Sequence, residues 1–446
     1  MIQATFSSRT VTRFKDLHIV GKFFVAIFLI VLFEGAVRKW VWSGATLPLL
    51  GMRDLIVVIA VLWGIMHRYF DFRAWPELFL FSWSMLIIFW TGIQLIIELQ
   101  PPIVGMIGLR FWVLYLWFVL LCVRALKWQD IEYLFKFSAL TLLFMVPLAL
   151  VQFMSPPTAF INKQTGDEQY IFQVIRGVVR TTGTFSFTIG YTTYLSFVTP
   201  VVLWMMSGGL KDSMKPMLRT LIIGLFFVGV LVSGSRGAIM TTVFFVGMLF
   251  VFLLLANKLP RIFSVKMFLG LAGLIVLITL LFPILGRSFE ANIERFETAS
   301  RAEDLGGRIL DIFIGSDRTW EKFDLLGHGI GAGANASAKF MGSGKFSLGE
   351  YEIDRTINEG GIIGLVQIVF KWLIVLIGLI QSRRIFIRYH EILPLLIWLV
   401  IAIQIPTGSI IGQLTVHGLM LLLLATGFTA LSSWKNEKLR RQRGTA

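Results

Sequence analysis

Apolar runs recur from one end of the chain to the other, each closed by a short polar connection. Many approach the roughly 20 residues that a helix needs to cross a bilayer. The pattern predicts one span ending near residue 33, and further spans over about 53–66, 78–98, 103–122, 131–153, 187–206, 220–235, 237–256, 267–285, 360–380, 391–409 and 411–431. The expected fold class is therefore all-α integral membrane, with about twelve transmembrane helices in a single polytopic domain over residues 1–446. Two connections are long, 154–186 and 286–358. The second alternates helix-like stretches, Phe289 to Glu303 and Arg308 to Phe323, with the glycine-rich Gly327-His-Gly-Ile-Gly-Ala-Gly333.

Composition strengthens the membrane reading. The chain is 56% hydrophobic and 15% charged, with a mean hydropathy of +0.78, where soluble domains carry about 25% charged residues. That leaves no room for a separate soluble domain of any size. The first apolar run ends in Glu34-Gly-Ala-Val-Arg38 without a small-residue cleavage site, so it reads as a spanning helix rather than a signal peptide. Cys122, the single cysteine, falls within an apolar run and has no internal partner.

The net charge of +15 does not form the single stripe that would bind nucleic acid. Its lysines and arginines sit in alternate connections: Arg68/Arg73, Arg124/Lys127, Lys211/Lys215/Arg219, Lys258/Arg261/Lys266, Arg383/Arg384/Arg388 and the tail from Lys435 to Arg443. By the positive-inside rule both termini are cytoplasmic, and the long connections 154–186 and 286–358 lie on the outer side of the membrane. The spans themselves read as nearly charge-free apart from Arg110, Lys136 and Lys371.

Three arginines stand on the outer side against that rule. Arg180 precedes a span in Arg180-Thr-Thr-Gly-Thr-Phe185, Arg236 is squeezed between two apolar runs in Ser233-Gly-Ser-Arg-Gly237, and Arg308 opens Arg308-Ile-Leu-Asp-Ile-Phe313. A charge at membrane depth is costly unless paired, and guanidinium groups grip phosphate oxygens in a planar fork. The bland alternative for each is interfacial snorkelling or a structural ion pair.

A second cluster is Glu350-Tyr-Glu-Ile-Asp354-Arg355, followed by Glu359. As a helix it puts Glu350 and Asp354 on one face, aims Glu352 elsewhere and lets Arg355 pair with Glu359 at i, i+4. A carboxylate at a membrane edge is a candidate general base. The local pattern alone favours a solvated, self-paired helix start. His328, in the glycine run, reads as a loop residue with a minor claim to chemistry. His417, inside the last span, reads as hydrogen-bonded within the bundle. No His/Cys/carboxylate set has metal-site spacing, so neither metal nor cofactor is expected. The glycine run follows no strand, which removes a nucleotide-loop reading.

The order of these motifs resembles that of the O-antigen ligase and O-antigen polymerase superfamily. Arg180-Thr-Thr-Gly-Thr-Phe185 is similar to its R-x-x-G-T-F element and Gly234-Ser-Arg-Gly-Ala238 to its S-R-G element. Arg308, Leu326-Gly-His-Gly-Ile-Gly331 and Asn358-Glu-Gly-Gly-Ile-Ile-Gly-Leu365 are similar to later ones, and the similarity covers 176–365 best. Where the family carries a His-Asn pair ahead of its last element, this chain has Glu350-Tyr351.

The resemblance implies a C-type glycosyltransferase-like fold and an enzyme independent of metal and nucleotide sugar, polymerase favoured over ligase. It would join an undecaprenyl-pyrophosphate-linked glycan to a hydroxyl of an acceptor glycan by inverting displacement. In that reading Arg180, Arg236 and Arg308 neutralise the departing pyrophosphate and Glu350 takes the proton. Asp354, Arg355, Glu359 and His328 are secondary candidates. Membrane lipid and other polysaccharide-assembly proteins are the implied partners. A polysaccharide flippase or other transporter, and a non-catalytic scaffold of an assembly complex, are the rival readings.

Overall fold

A lipid interior offers no hydrogen bonds, so every backbone N–H and C=O in an apolar run must be satisfied within the segment, and helix is the outcome. The computed structural model describes residues 13–163, 173–174, 178–256, 305–341, 349 and 351–442. In chain order α1 (Ile19–Ala36) runs into a π turn (Val37–Val41), then come α2 (Thr46–Met66), α3 (Trp75–Ile96) and α4 (Pro102–Leu109). A second π turn (Arg110–Leu114) joins α4 to α5 (Tyr115–Ala125), and α6 (Trp128–Leu140) is followed at once by α7 (Leu142–Met154). Next are α8 (Thr188–Met206), α9 (Pro216–Val232) and α10 (Arg236–Leu255). Four short helices follow: α11 (Leu305–Ile314), α12 (Asp317–Glu321), α13 (Ala338–Met341) and α14 (Glu352–Gly360). The chain then forms α15 (Ile362–Tyr389), α16 (Leu393–Thr407) and α17 (Leu414–Gln442). The only strands among the described residues form a two-residue antiparallel ribbon, Gln173 opposite Val179 and Val174 opposite Val178.

Among the described residues nine helical stretches are long and apolar enough to cross a membrane, and α9 and α16 are shorter apolar helices. The expected span at about 267–285 and the helix-like Phe289–Glu303 lie outside the described residues. Starts follow local chemistry. Proline occupies the first turn of α3, α4, α9 and α16, where its missing N–H has no intrahelical acceptor to lose. His18 caps α1 by accepting from Val20 N through Nδ1.

Two expectations need correction. The second span begins at Thr46 rather than near 53, so Arg53 and Asp54 lie inside a helix. The stretch from Arg308 to Phe323 is broken at Gly315, whose φ of +85° interrupts the helical backbone.

Hydrogen bonds sort the connections into two ends of the bundle. At one end His18 bonds Asp130 and Tyr69, Arg124 grips Glu77 with two bonds of 2.6 Å, and Lys136 donates to Ser213 O. At the other, Lys39 meets Thr182, Gln94 meets Leu326 and Glu359, Glu352 meets Ile411 and Glu34 meets Thr415. The second end therefore gathers the segment 180–187, the start of α10, α11 to α14 and the turn before α17. Between the two ends runs a continuous buried core that includes Phe28, Phe118, Phe135, Phe197, Leu396 and Trp398.

Candidate functional site

The segment carrying Arg180 is held by groups from three helices. Gln152 of α7 accepts from Thr182 N (3.1 Å) and Gly183 N (2.7 Å) and donates back to Gly183 O (2.9 Å). Lys39, buried at the end of α1, donates to Thr182 Oγ1 (2.9 Å) and Gly183 O (2.7 Å). Thr181 donates to Val232 O at 3.1 Å, fastening the segment to the end of α9. Gly35 allows this approach, because a Cβ there would lie 2.5 Å from Thr184 O.

Two residues beyond Val232 the chain turns at Gly234 (φ +63°), Ser235 caps α10 by accepting from Ala238 N, and Arg236 opens the helix. Arg180 and Arg236 thereby become neighbours although 56 positions separate them in the sequence. Burial pushes the Arg180 pKa down, and the Arg236 charge beside it pushes in the same direction. Arg180 Nε is buried without an acceptor among the described residues. Two like charges, one with a desolvated donor, form a place where an anion is stabilised.

Arg308 stands in α11, which packs against α14 and α16 at the same end of the bundle. The structure thus brings together two of the three predicted arginines and puts the helix of the third at the same end of the bundle. Glu350 lies outside the described residues, while its flanking residues are fixed. Gly349 O accepts from Arg355 Nε at 2.8 Å, and Tyr351 N donates to Asp354 Oδ2 at 3.3 Å.

The acidic cluster differs most from expectation. It is neither solvated nor self-paired: Glu352, Asp354 and Glu359 are 3%, 1% and 0% exposed. Asp354 Oδ1 accepts from Ser316 N (2.8 Å) and Thr319 Oγ1 (3.0 Å), so it joins the start of α12 to the start of α14. Glu352 does not point into solvent. It forms a 2.6 Å ion pair with Lys371 and accepts from Ile411 N at 3.0 Å. Arg355 and Glu359 turn to different partners, with Arg355 Nη1 donating to Gly333 O at 3.3 Å.

Glu359 is gripped by Trp112 Nε1 through one oxygen and Gly333 N through the other, each at 2.9 Å. Burial raises its pKa to about 7, against the opposing pull of those donors. Through its two oxygens Glu359 ties the glycine run and α14 to the π turn that follows α4. Gln94 reinforces the tie, donating to Leu326 O (2.6 Å) and Glu359 O (2.9 Å) and accepting from Ile330 N (2.8 Å). The glycines of Gly327-His-Gly-Ile-Gly331 are needed for this contact. Gly327, Gly329 and Gly331 have φ of +72°, +115° and +97°, and a Cβ on Gly327 would lie 2.6 Å from Glu359 O. His328 donates its backbone N–H to Asn358 O at 2.6 Å, and its side chain is half-buried.

The sequence reading also missed a polar network inside the spans. Glu34, Lys39, Arg53 and Asp54 join the expected Arg110 within helices or π turns at this end of the bundle, so the spans are less charge-free than expected. Arg53 and Asp54 escaped because the apolar run was started too late; Glu34 and Lys39 because they follow the apolar run at its edge. His417 was expected to be hydrogen-bonded. Neither ring nitrogen has a partner among the described residues, and the ring stacks on Phe111 with centroids 4.7 Å apart.

Among the described residues no three His, Cys, Asp or Glu side chains are grouped to hold a metal ion. Comparison with protein-family models, curated proteins and solved structures finds no match to this chain.

Proposed function

We propose that this polytopic helical membrane protein is a polysaccharide polymerase or ligase. It joins an undecaprenyl-pyrophosphate-linked glycan to the hydroxyl of an acceptor glycan at the periplasmic face. The observation that carries the proposal is the meeting of Arg180 and Arg236 at the end of the bundle that also holds α11 to α14. A departing pyrophosphate gathers negative charge in the transition state, and preorganised guanidinium groups are the economical way to meet it. Arg308 joins them from α11. Glu350 takes the proton of the attacking hydroxyl, and the oxygen of that hydroxyl displaces the pyrophosphate with inversion at the anomeric carbon.

Asp354 and Glu359, with their oxygens committed to N–H and O–H donors, serve as the frame around Glu350 rather than as bases. The rival transporter reading has support of its own in the charged side chains now found inside the spans.

Reconstitution of the full chain in lipid vesicles with an intact lipid-linked repeat unit separates the readings. The expected result is lengthened glycan with release of undecaprenyl pyrophosphate, slowed about 10²–10³-fold by Arg180→Lys or Arg236→Lys while the protein remains folded. Movement of the lipid-linked glycan across the bilayer without new glycosidic bonds would instead establish the flippase. In a deletion strain, single repeats without long chains indicate a polymerase, and unattached long chains a ligase.

A further inference from the structure

Below the turn before α17 lies a second, separate concentration of positive charge. Arg38, Ser186, Asn335, Gln413, Leu414 and Thr415 bound a cavity of about 50 Å³. That is several times the roughly 10–15 Å³ one water requires, room on the scale of a small oxyanion and too little for a sugar ring. Two of its walls are also its links to charge beneath. Thr415 donates to Glu34 Oε1 at 3.1 Å, and Leu414 O accepts from Arg53 Nη1 at 3.1 Å.

Glu34 is shared by Arg38 (3.3 Å) and Arg53 (3.5 Å). Asp54 pairs with Arg110 at 2.9 Å and accepts from Tyr115. The guanidinium carbons of Arg53 and Arg110 lie 5.6 and 5.9 Å from the Tyr115 ring centre, which fixes the whole set as one cluster. Among the described residues three guanidinium groups face two carboxylates, an excess of one positive charge. The nearby Lys371 and Glu352 cancel each other.

The donors are in excess as well. Arg53 Nε and Nη2, Arg110 Nη1 and Nη2 and the one ring N–H of a neutral His417 are buried without an acceptor among the described residues. Arg53, Arg110 and His417 are 0%, 5% and 1% exposed. Ser186 Oγ, on the cavity wall, is buried and unpartnered too. Water could meet the hydrogen bonds but not the charge. An anion in the cavity offsets the charge and can accept from Ser186 Oγ and from the planar guanidinium fork of Arg38, which suits phosphate oxygens. Phe187 completes the wall with an apolar face, which a lipid tail would cover.

We infer that this cavity is a phosphate-binding site, distinct from the Arg180–Arg236 pair, that takes the phosphate group of a lipid or a free phosphate. Arg38 contacts the phosphate, and Arg53 and Arg110 supply the field beneath it. The inference does not depend on the proposed glycosyl transfer.

The test is thermal unfolding of the full chain in phosphatidylcholine nanodiscs, read through its 14 tryptophans. Three additions are compared at matched ionic strength: inorganic pyrophosphate, undecaprenyl phosphate and a phosphatidylglycerol fraction, with chloride as the reference. A saturable rise in Tm with any of the three is expected. A response to pyrophosphate identifies a site open to free phosphate, and a response to the lipids alone a headgroup site. Arg38→Gln should weaken the apparent affinity about ten- to a hundredfold by removing one charge-assisted bond. Ser186→Val, which fills the cavity without altering charge, should do the same, so the test survives if the arginine variant is unstable. The part of the response that Arg38→Gln and Ser186→Val remove should persist in Arg180→Gln, whose own loss, if any, reports the other pair. No rise with any addition overturns the site. So does a rise that both Arg38→Gln and Ser186→Val leave unchanged, or one that only Arg180→Gln removes.

Discussion

Glu359 accepts one N–H donor on each carboxylate oxygen in a place water does not reach, and this sets its response to pH. Its pKa rises from 4.5 to about 7 because burial disfavours the charged form. Between those values the folded chain holds a proton that the unfolded chain has released. The stabilisation is therefore complete below the unfolded value and is lost as pH climbs through about 7. Glu359→Gln should flatten that part of the Tm–pH curve. It should also lower stability by about 1–3 kcal/mol, since an amide nitrogen cannot accept the bond that one carboxylate oxygen accepts. A Tm–pH curve with its wild-type slope would show that another group titrates. Lys39 offers a second test. Lys39→Met keeps the length of the side chain but removes the bonds to Thr182 Oγ1 and Gly183 O, leaving Gln152 alone to hold the turn. The expected cost is about 1–3 kcal/mol in thermal unfolding, together with loss of turnover beyond what stability explains, because the Arg180 segment is released.

At the scale of elements, the site is built where helices break rather than where they run. Gly361 (φ +56°) separates α14 from α15 and lets Ile362 N donate to Leu325 O at 3.0 Å, so the break is what receives the glycine run. A Cβ on Gly361 would lie 2.6 Å from Gly327 N, in a backbone region disfavoured for L-residues. Gly361→Ala should cost about 2 kcal/mol or more, combining backbone strain with overpacking. Gly92→Ala is the control. Gly92 lies within α3 with nothing within 4 Å of its added Cβ, and alanine there should be neutral or slightly stabilising. Equal losses in the two variants would remove the special role of the break.

For the whole molecule, the distribution of charge and the two ends of the bundle carry one prediction. The basic connections after α2, α5 and α8 and the arginines near the end of α15 lie at the end opposite to α11 through α14, and α17 leads the chain back toward that basic end. Reporter fusions after Ser300 and at the C-terminus should therefore report opposite sides of the membrane, with the C-terminus cytoplasmic. Matching signals would remove the periplasmic site, because α11 to α14 would then share a side with the tail.

How far the sequence could be read depends on what kind of force is involved. Helices, their apolar faces and the alternation of basic connections follow from local composition, because transfer of each segment into lipid is decided within that segment. The glycine-rich passage 327–333 was legible for the same reason, whereas the break at Gly315 inside the expected helix was not. That Arg180 and Arg236 act together was expected from the resemblance; local pattern could not supply the means, which is Lys39, Gln152 and Thr181 folding distant segments onto one another. The acidic run on α14 misled because its spacing suits a solvated helix, yet its partners Ser316, Lys371, Trp112 and Gly333 come from four other places in the chain. Nor could local pattern place Arg53, Arg110 and His417 around one tyrosine. A charge inside a span is tolerated only by neighbours from other helices, so which charges are buried, paired or left with spare donors is decided by packing alone.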